Sequence, residues 1–178
     1  MPSRTVIDVN CMRPSRGELH EEIVALLPRL RRFARTLARN PHDADDLVQI
    51  AIERALARSD QLRPDAQVAN WMFGILRNAG IDEARASGRR QRIFAPPEAG
   101  ENVAERTEDT RGEILSVQES MARLPEEQRT AVSLVLIEGF SYKEAAEIMN
   151  VPIGTLTSRL ARGRESLQAM LSDMAGAV

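Results

Sequence analysis

The segment 141–167, SYKEAAEIMNVPIGTLTSRLARGRESL, decides the fold of the C-terminal part of the chain. Ser141 and Glu144 have the spacing of a capping box, in which each side chain bonds the backbone N–H of the other residue. A helix is therefore predicted to begin directly after Ser141. Asn150-Val151-Pro152 ends that helix, because the proline lacks a backbone N–H and fits best in the first turn of a new helix. Two short helices joined by a tight turn are predicted.

The second helix of this pair is amphipathic. At about 100° per residue its apolar positions fall on one stripe: Ile153, Leu156, Leu160 and Leu167. The opposite side is polar and cationic and comprises Thr155, Ser158, Arg162 and Ser166, with Arg159 beside them. Arginine reads guanine edges in the major groove, and Ser or Thr reaches bases or phosphates, so this face favours DNA binding. Spacing alone leaves an ordinary hairpin with a solvated polar face as the alternative.

Composition limits the class of protein. The chain of 178 residues has 43% hydrophobic but only 3% aromatic residues, and alternating β-branched runs are few, which favours an all-α protein. The single cysteine, Cys11, excludes an internal disulfide and a Cys-based zinc site, and two histidines argue against a His-rich metal site. No cofactor is expected. Because no apolar run approaches the length of a membrane span and no signal peptide is evident, a cytoplasmic protein is expected.

The net charge of −2 conceals a segregated distribution. Basic residues lie in three runs, within 29–39, 85–92 and 159–164, and acidic residues gather at 43–46 and 98–113. A partner is attracted by the local charge rather than by the sum. The segregation therefore indicates more than one macromolecular partner.

Breaks in the helical pattern divide the chain into two small helical domains. Residues 1–17 have no clear period and are predicted to be a mobile leader, followed by a first domain at 18–93. The acidic stretch 94–112 contains Pro-Pro and two glycines, which predicts a flexible linker to a second helical domain at 113–173. Within the first domain, Pro28 predicts a kink or a break between two helices.

Two faces of the first domain carry polar side chains at helical spacing. An acidic and polar strip is formed by Asp46, Gln49 and Glu53. Such a strip does not bind DNA phosphates, so it is either a solvated face or a contact for a protein partner. A second face combines an amide, a carboxylate and guanidiniums at Asn78, Asp82, Arg85 and Arg89. This face could follow a nucleic-acid backbone while reading bases.

A family resemblance rests on four segments in colinear order: DADDLVQ (43–49), NWMFGILRNAGIDEAR (70–85), LPEEQR (124–129) and GFSYKEAAEIMNVPIGTLTSRLARGRESL (139–167). They resemble regions 2.2, 2.3–2.4, 4.1 and 4.2 of the bacterial RNA polymerase sigma factors of the extracytoplasmic-function group. These are the smallest sigma factors, which keep only regions two and four. Four motifs in order, over about residues 18–172, make chance similarity improbable.

The resemblance implies protein partners and a promoter-directed function without catalysis. Core RNA polymerase would bind through its β′ clamp helices to Asp43, Asp46, Gln49 and Glu53, and its β flap would be a second contact. Members of the group are usually held inactive by an anti-sigma factor that wedges between the two domains, so such an inhibitor and stress-responsive control are expected. Membrane insertion is not expected.

The resemblance also implies two contacts with promoter DNA. A flipped base of the minus-ten element would be captured in a pocket, which lets a small protein melt DNA without ATP. The residues at that element would be Asp60, Gln61, Leu62, Arg63, Asn78, Asp82, Arg85 and Arg89. The minus-thirty-five duplex would be read by the second helix of the hairpin, through Thr155, Thr157, Ser158, Arg159 and Arg162.

The chain departs from the usual pattern of the group at four positions. Ile50 stands where an acidic residue commonly follows the glutamine of region 2.2, and it is predicted to enlarge the core. Thr157 and Ala161 replace an arginine and a bulky residue on the recognition helix, so the promoter sequence cannot be carried over from relatives. Gly80 is unusual in a helix that presents a base-reading face.

Two other functions compete with this interpretation. An autonomous helix-turn-helix repressor or activator would need a symmetric dimer surface, and the sequence supplies neither a heptad seam nor the signature of a ligand pocket. An enzyme is disfavoured because no His, Cys or Gly-rich phosphate loop converges with the carboxylates at Glu126-Glu127 or 43–46.

Overall fold

The structure is a computed structural model that describes residues 15–38, 40–94 and 112–175, with side chains described at 15–38, 40–86 and 117–172. All regular structure in these ranges is helical, which confirms the all-α prediction. The described α-helices are α1 (Arg16–Leu37), α2 (Pro41–Ala57), α3 (Val68–Phe94), α4 (Gly112–Arg123), α5 (Glu126–Val132), α6 (Tyr142–Met149) and α7 (Ile153–Ala175). The predicted leader up to residue 14 and most of the predicted linker lie outside the described residues.

Helix α1 begins at Arg16, directly after a capping residue, and continues through its proline. Ser15 and Glu18 form a capping box: the Glu18 backbone N–H donates to Ser15 Oγ (3.3 Å) and the Ser15 N–H donates to Glu18 Oε2 (2.7 Å). Of the predicted kink or break at Pro28, the break is wrong, because one helix spans Arg16–Leu37. The proline ring lies on the exposed side. Buried Ile23 and Leu30 anchor the helix on either side of the ring.

Helices α1, α2 and α3 pack against one another as the N-terminal domain. Asn40 caps α2, with Pro41 at its first position. A Cβ at Gly80 would lie 3.3 Å from Leu37 Cδ1, a tight contact, so the glycine favours the close approach of α1 and α3. Ile50 is half-buried against the core, as predicted.

Helices α4 to α7 form the C-terminal domain. The capping box of Ser141 is present, and Asn150 ends α6 in the left-handed conformation (φ 51°). Ile153, predicted on the buried stripe, is instead 53% exposed, because it lies in the first turn of α7 before the helix meets the core at Leu156. At Gly163, α7 approaches α5 so closely that a Cβ would lie 2.8 Å from Val132 Cγ2.

A π-helical segment, Ser133–Ile137, continues α5 and ends at a glycine turn. Gly139 has a φ of +76°, a conformation that favours glycine. The turn directs Phe140 towards the N-terminal domain, where its ring packs edge-on against Phe73 with centroids 4.8 Å apart. The two domains therefore contact each other, with α6 against α3 and with α5 and the π-helical segment against α1.

Candidate nucleic-acid and protein interfaces

The strip on α2 is exposed as predicted. Asp46, Gln49 and Glu53 lie on the solvent side of the helix, and Gln49 Nε2 donates to Glu53 Oε1 (3.0 Å). Asp43 is exposed in the first turn. A hydrogen bond to its own backbone carbonyl, and then the charge of Asp46, raise the pKa of His42. The strip presents acceptors and negative charge, which suits a cationic or amide-rich protein surface.

The face on α3 is also exposed. Asn78, Asp82 and Arg85 line a cleft of about 1080 Å³ between the two domains. Asp82 is fixed to α2 by Arg54, whose Nη1 lies 2.9 Å from Asp82 Oδ2. The structure thus brings together an amide, a paired carboxylate and a guanidinium, while the side chain of Arg89 lies outside the described residues.

Only some of the minus-ten residues that were predicted in the loop before α3 have exposed side chains. Asp60, Gln61 and Arg63 are exposed, and Gln61 lies on the same cleft as Asn78. The prediction for Leu62 is corrected: it is 1% exposed and belongs to the hydrophobic core, so it anchors the loop and cannot contact a base. Sequence could not distinguish the inward residue in a loop without periodicity.

The outer face of α7 is short and polar. Thr157, Ser158 and Arg162 are exposed, whereas Thr155 is half-buried. Both hydroxyls bond back to the helix, Thr157 Oγ1 to the Ile153 carbonyl and Ser158 Oγ to the Thr155 carbonyl, each at 2.9 Å. These rotamers keep both hydroxyls close to the helix, so a duplex could approach it closely, and Arg162 extends from the face as an exposed cationic side chain.

Arg159 lies at the edge of this face and is already paired. Its side chain is 28% exposed, and its Nη1 lies 2.6 Å from Glu127 Oε2 on α5. The other oxygen of Glu127 lies 3.7 Å from Arg77 Nη2 on α3. The structure therefore places Arg159 on the cleft, with its charge balanced within its own domain.

Glu138 makes a polar contact between the domains that no helical pattern in the sequence predicted. The Glu138 side chain is fully buried and accepts from Arg32 Nε (2.7 Å), Arg32 Nη2 (3.0 Å) and Arg29 Nε (3.1 Å). Hydrogen bonding to Glu138 raises the pKa of Arg32. The available signal was an acidic residue directly after the apolar run at 134–137, where a helical core position would be apolar.

Glu144 lines a second cleft between the domains, together with Asn70 of α3. The side-chain hydrogen bond from Ser141, then the backbone bond from the same residue, lower the pKa of Glu144, and the amide of Asn70 on α3 adds to the effect. In the described part of the chain, His, Cys, Asp and Glu form no group that could hold a metal ion. None of the described helices has the length and apolar content that a membrane span requires.

Comparison with known proteins supports a single family over both domains. Residues 114–167 match the family described as Sigma-70, region 4, and residues 23–77 match the Sigma2 domain of PhyR. The sigma factor EcfG of Rhodopseudomonas palustris is 36% identical over 158 residues, which cover 89% of this chain and 87% of that protein. SigM of Mycobacterium tuberculosis is 38% identical over 142 residues, which cover 80% and 71% of the two chains.

A solved structure agrees with the sequence matches. The sigma factor RpoE of Bartonella quintana, in complex with the anti-sigma factor NepR, has a TM-score of 0.77 and 30% identity. The match covers 88% of this chain and 98% of that one, so it includes both helical domains. The expectation drawn from the four colinear motifs is confirmed: this chain belongs to the family of extracytoplasmic-function RNA polymerase sigma factors.

Proposed function

We propose that this chain binds core RNA polymerase and directs it to promoters that carry specific minus-ten and minus-thirty-five elements. The observation that carries the proposal is that similarity to extracytoplasmic-function sigma factors extends over both domains and nearly all of EcfG. The separation of an acidic surface on α2 from polar and cationic surfaces on α3 and α7 supports it, since polymerase and DNA require surfaces of different charge. No catalytic role is proposed.

The α2 strip would bind the β′ clamp helices. Asp46, Gln49 and Glu53 are exposed in one row, and their acceptors are complementary to a partner rich in guanidinium and amide donors. The β flap would bind the C-terminal domain away from its DNA face. A groove of about 490 Å³ lies between exposed Leu136 and the later turns of α7. Its apolar side chains would suit a contact with the β flap.

The cleft face of α3 would hold the minus-ten element. Asn78 has both a donor and acceptor to read the Watson–Crick edge of an unstacked base. Arg85 would contact the adjacent backbone. Asp60, Gln61 and Arg63 would form the other side of the pocket, with Asp82 held in place by Arg54 at 2.9 Å.

The exposed face of α7 would lie in the major groove of the minus-thirty-five element. Arg162 is the side chain best placed to reach a base edge, and Thr157 and Ser158 would contact bases or phosphates at short range. Arg159 would contribute only if it exchanges its ion pair with Glu127 for a contact with a base or phosphate.

Control by an anti-sigma factor is part of the proposal. The similar sigma factor from Bartonella quintana is in complex with NepR, and a partner of that kind would suit this chain. Domain boundaries at 18–93 and 113–173 are proposed, with the intervening residues as the linker. A protein that binds core polymerase would act in the cytoplasm, and this location is part of the proposal.

Competition for core polymerase tests the α2 strip. Glu53→Lys should weaken binding to purified core by at least about tenfold, because a like charge opposed across an interface costs several kcal/mol and each 1.4 kcal/mol is tenfold. Glu22→Lys, at an exposed position of α1, is the matched control and should leave affinity unchanged. Equal losses for both variants, or no loss for Glu53→Lys, would remove the strip from the interface.

A further inference from the structure

Glu138 has a buried carboxylate whose two cationic partners both come from the other domain. Its side chain is 0% exposed, while Arg29 and Arg32 on α1 are 35% and 51% exposed. Arg32 approaches the carboxylate with two nitrogens, and Arg29 Nη2 also donates to the Glu138 backbone carbonyl at 2.8 Å. An unpaired carboxylate is not stable in a buried site. This carboxylate can therefore remain buried only while the two domains are in contact.

Aromatic packing surrounds this ionic contact. The Arg29 guanidinium lies over two rings, with Cζ 5.3 Å from the centroid of Phe73 and 5.1 Å from that of Phe140. Phe73 also packs against Phe33, with centroids 5.2 Å apart. Cation–π and edge-to-face geometry fix the angle between the domains. Phe140 from the C-terminal domain is 7% exposed as a result.

The positions of the two DNA-binding surfaces show what this contact prevents. Asn78 on α3 and Arg159 on α7 line the same cleft. The positions that name the minus-ten and minus-thirty-five elements lie roughly 25 base pairs apart, or roughly 85 Å at 3.4 Å per base pair. While the domains are in contact, the cleft surface of α3 and the α7 face beside Arg159 lie too close together to reach both elements of a duplex at once.

We infer that Arg29, Arg32 and Glu138 form an intramolecular latch that holds the free sigma factor closed and unable to engage both promoter elements. The effect on promoter binding rests on the proposed function, whereas the closed state is inferred from the contacts between the domains alone. Opening exposes all three charged groups to water, so no unpaired charge stays buried in the open state. The latch can therefore release reversibly, and a partner that binds the open form shifts the population.

Neighbouring arginines on α1 supply a matched test. Arg32 contacts the other domain, whereas Arg31 lies 3.7 Å from Asp45 within its own domain, with both side chains exposed. Arg32→Ala and Glu138→Gln should each raise the open-to-closed ratio by roughly tenfold or more, because each removes charge-assisted hydrogen bonds of the latch. Arg31→Ala should leave the ratio unchanged.

The distance between the domains is the direct readout. Spin labels on Arg35→Cys in α1 and Ala169→Cys in α7, both exposed positions, in a Cys11→Ser background report it by double electron–electron resonance. The full chain should show one short-distance population, and Glu138→Gln and Arg32→Ala should each add a longer one. Circular dichroism verifies that each variant is folded. Distances that match the parent chain in both latch variants, or an equal change in Arg31→Ala, would overturn the latch.

Transcription separates failure of the latch from failure of the proposed function. The template is a promoter selected from a randomised library with the parent holoenzyme. With limiting core polymerase, the latch variants should reach half-maximal transcript at several-fold lower sigma concentration than the parent chain. Equal concentration dependence would show that closure does not limit activity and would overturn the inference. No transcript from any variant would overturn the promoter function, while the distance measurement still decides the closed state.

Discussion

Arg162 and Arg159 are three residues apart on α7, yet the structure predicts that their replacement by alanine has different effects. Arg162 is exposed, and among the described residues it has no ion-pair partner. Arg162→Ala should therefore change the free energy of unfolding by less than about 0.5 kcal/mol. If Arg162 reads a base edge in the minus-thirty-five element, the same variant should weaken promoter binding by roughly 1–3 kcal/mol, or about 5- to 150-fold.

Arg159→Ala should have the opposite profile. Its guanidinium lies 2.6 Å from Glu127, and both side chains are partly exposed, at 28% and 44%. Solvent screening reduces the contribution of such a pair, so a loss of stability of roughly 0.5–1 kcal/mol is expected. Because Arg159 already has a partner, its loss should affect promoter binding less than the loss of Arg162.

Two assays on the same variants separate these effects. Urea unfolding followed by circular dichroism gives the change in stability, and filter binding of holoenzyme gives the change in promoter affinity. A promoter with a scrambled minus-thirty-five element is the control. Arg162→Ala should reduce the affinity of the holoenzyme for that promoter only slightly. If Arg162→Ala weakens binding equally on both promoters, Arg162 is a phosphate contact. If Arg159→Ala costs more affinity than Arg162→Ala, the assignment of base reading to Arg162 is wrong.

Three further predictions follow from the described contacts. Asn78→Ala should slow open-complex formation, measured by permanganate reactivity, without changing core affinity, and Gln118→Ala at an exposed site on α4 should change neither. Gly163→Ala should lower the free energy of unfolding by about 1 kcal/mol, since overpacking against Val132 at 2.8 Å costs roughly 1–3 kcal/mol and the gain in helix propensity offsets about 1. Gly154→Ala, with no atom within 4 Å of the added Cβ, should gain helix propensity without overpacking and raise the free energy of unfolding by up to about 1 kcal/mol, and equal effects of the two variants would refute the close approach. Ser141→Ala should cost about 1 kcal/mol at neutral pH. Because Ser141 lowers the pKa of Glu144, the stabilisation from this pair is present above the ordinary pKa and is lost as pH falls through the lowered value. Denaturation at about pH 3 should therefore show a smaller cost, and a cost that grows at low pH would contradict the assignment.

Capping patterns and helical spacing in the sequence predicted much of the fold and the exposed residues of the candidate sites. The spacing of Ser141 and Glu144 predicted a capping box that the structure contains. Helical periodicity placed Gln49 and Glu53 on one face of α2 and Asn78 on the open side of α3, and all three are exposed. These predictions depend on interactions within one or two helical turns, which sequence spacing describes directly.

The errors and omissions arise where tertiary contacts override a local pattern. Pro28 does not break α1, because buried residues on both sides of it hold the helix in place. Leu62 was assigned to DNA and is in the core, since a loop has no period that shows which side chain turns inward. Glu138 pairs with arginines more than a hundred positions earlier in the chain. No helical spacing encodes a contact of that range.

Run-off transcription with purified core polymerase tests the central claim most directly. The template carries a promoter selected from a randomised library, with a scrambled minus-ten element as its control. The sigma function predicts a transcript of defined length that requires both the chain and core enzyme and disappears on the scrambled template. If the chain retards duplex DNA by itself but never yields that transcript with core polymerase, it is an autonomous DNA-binding regulator and the promoter function is wrong.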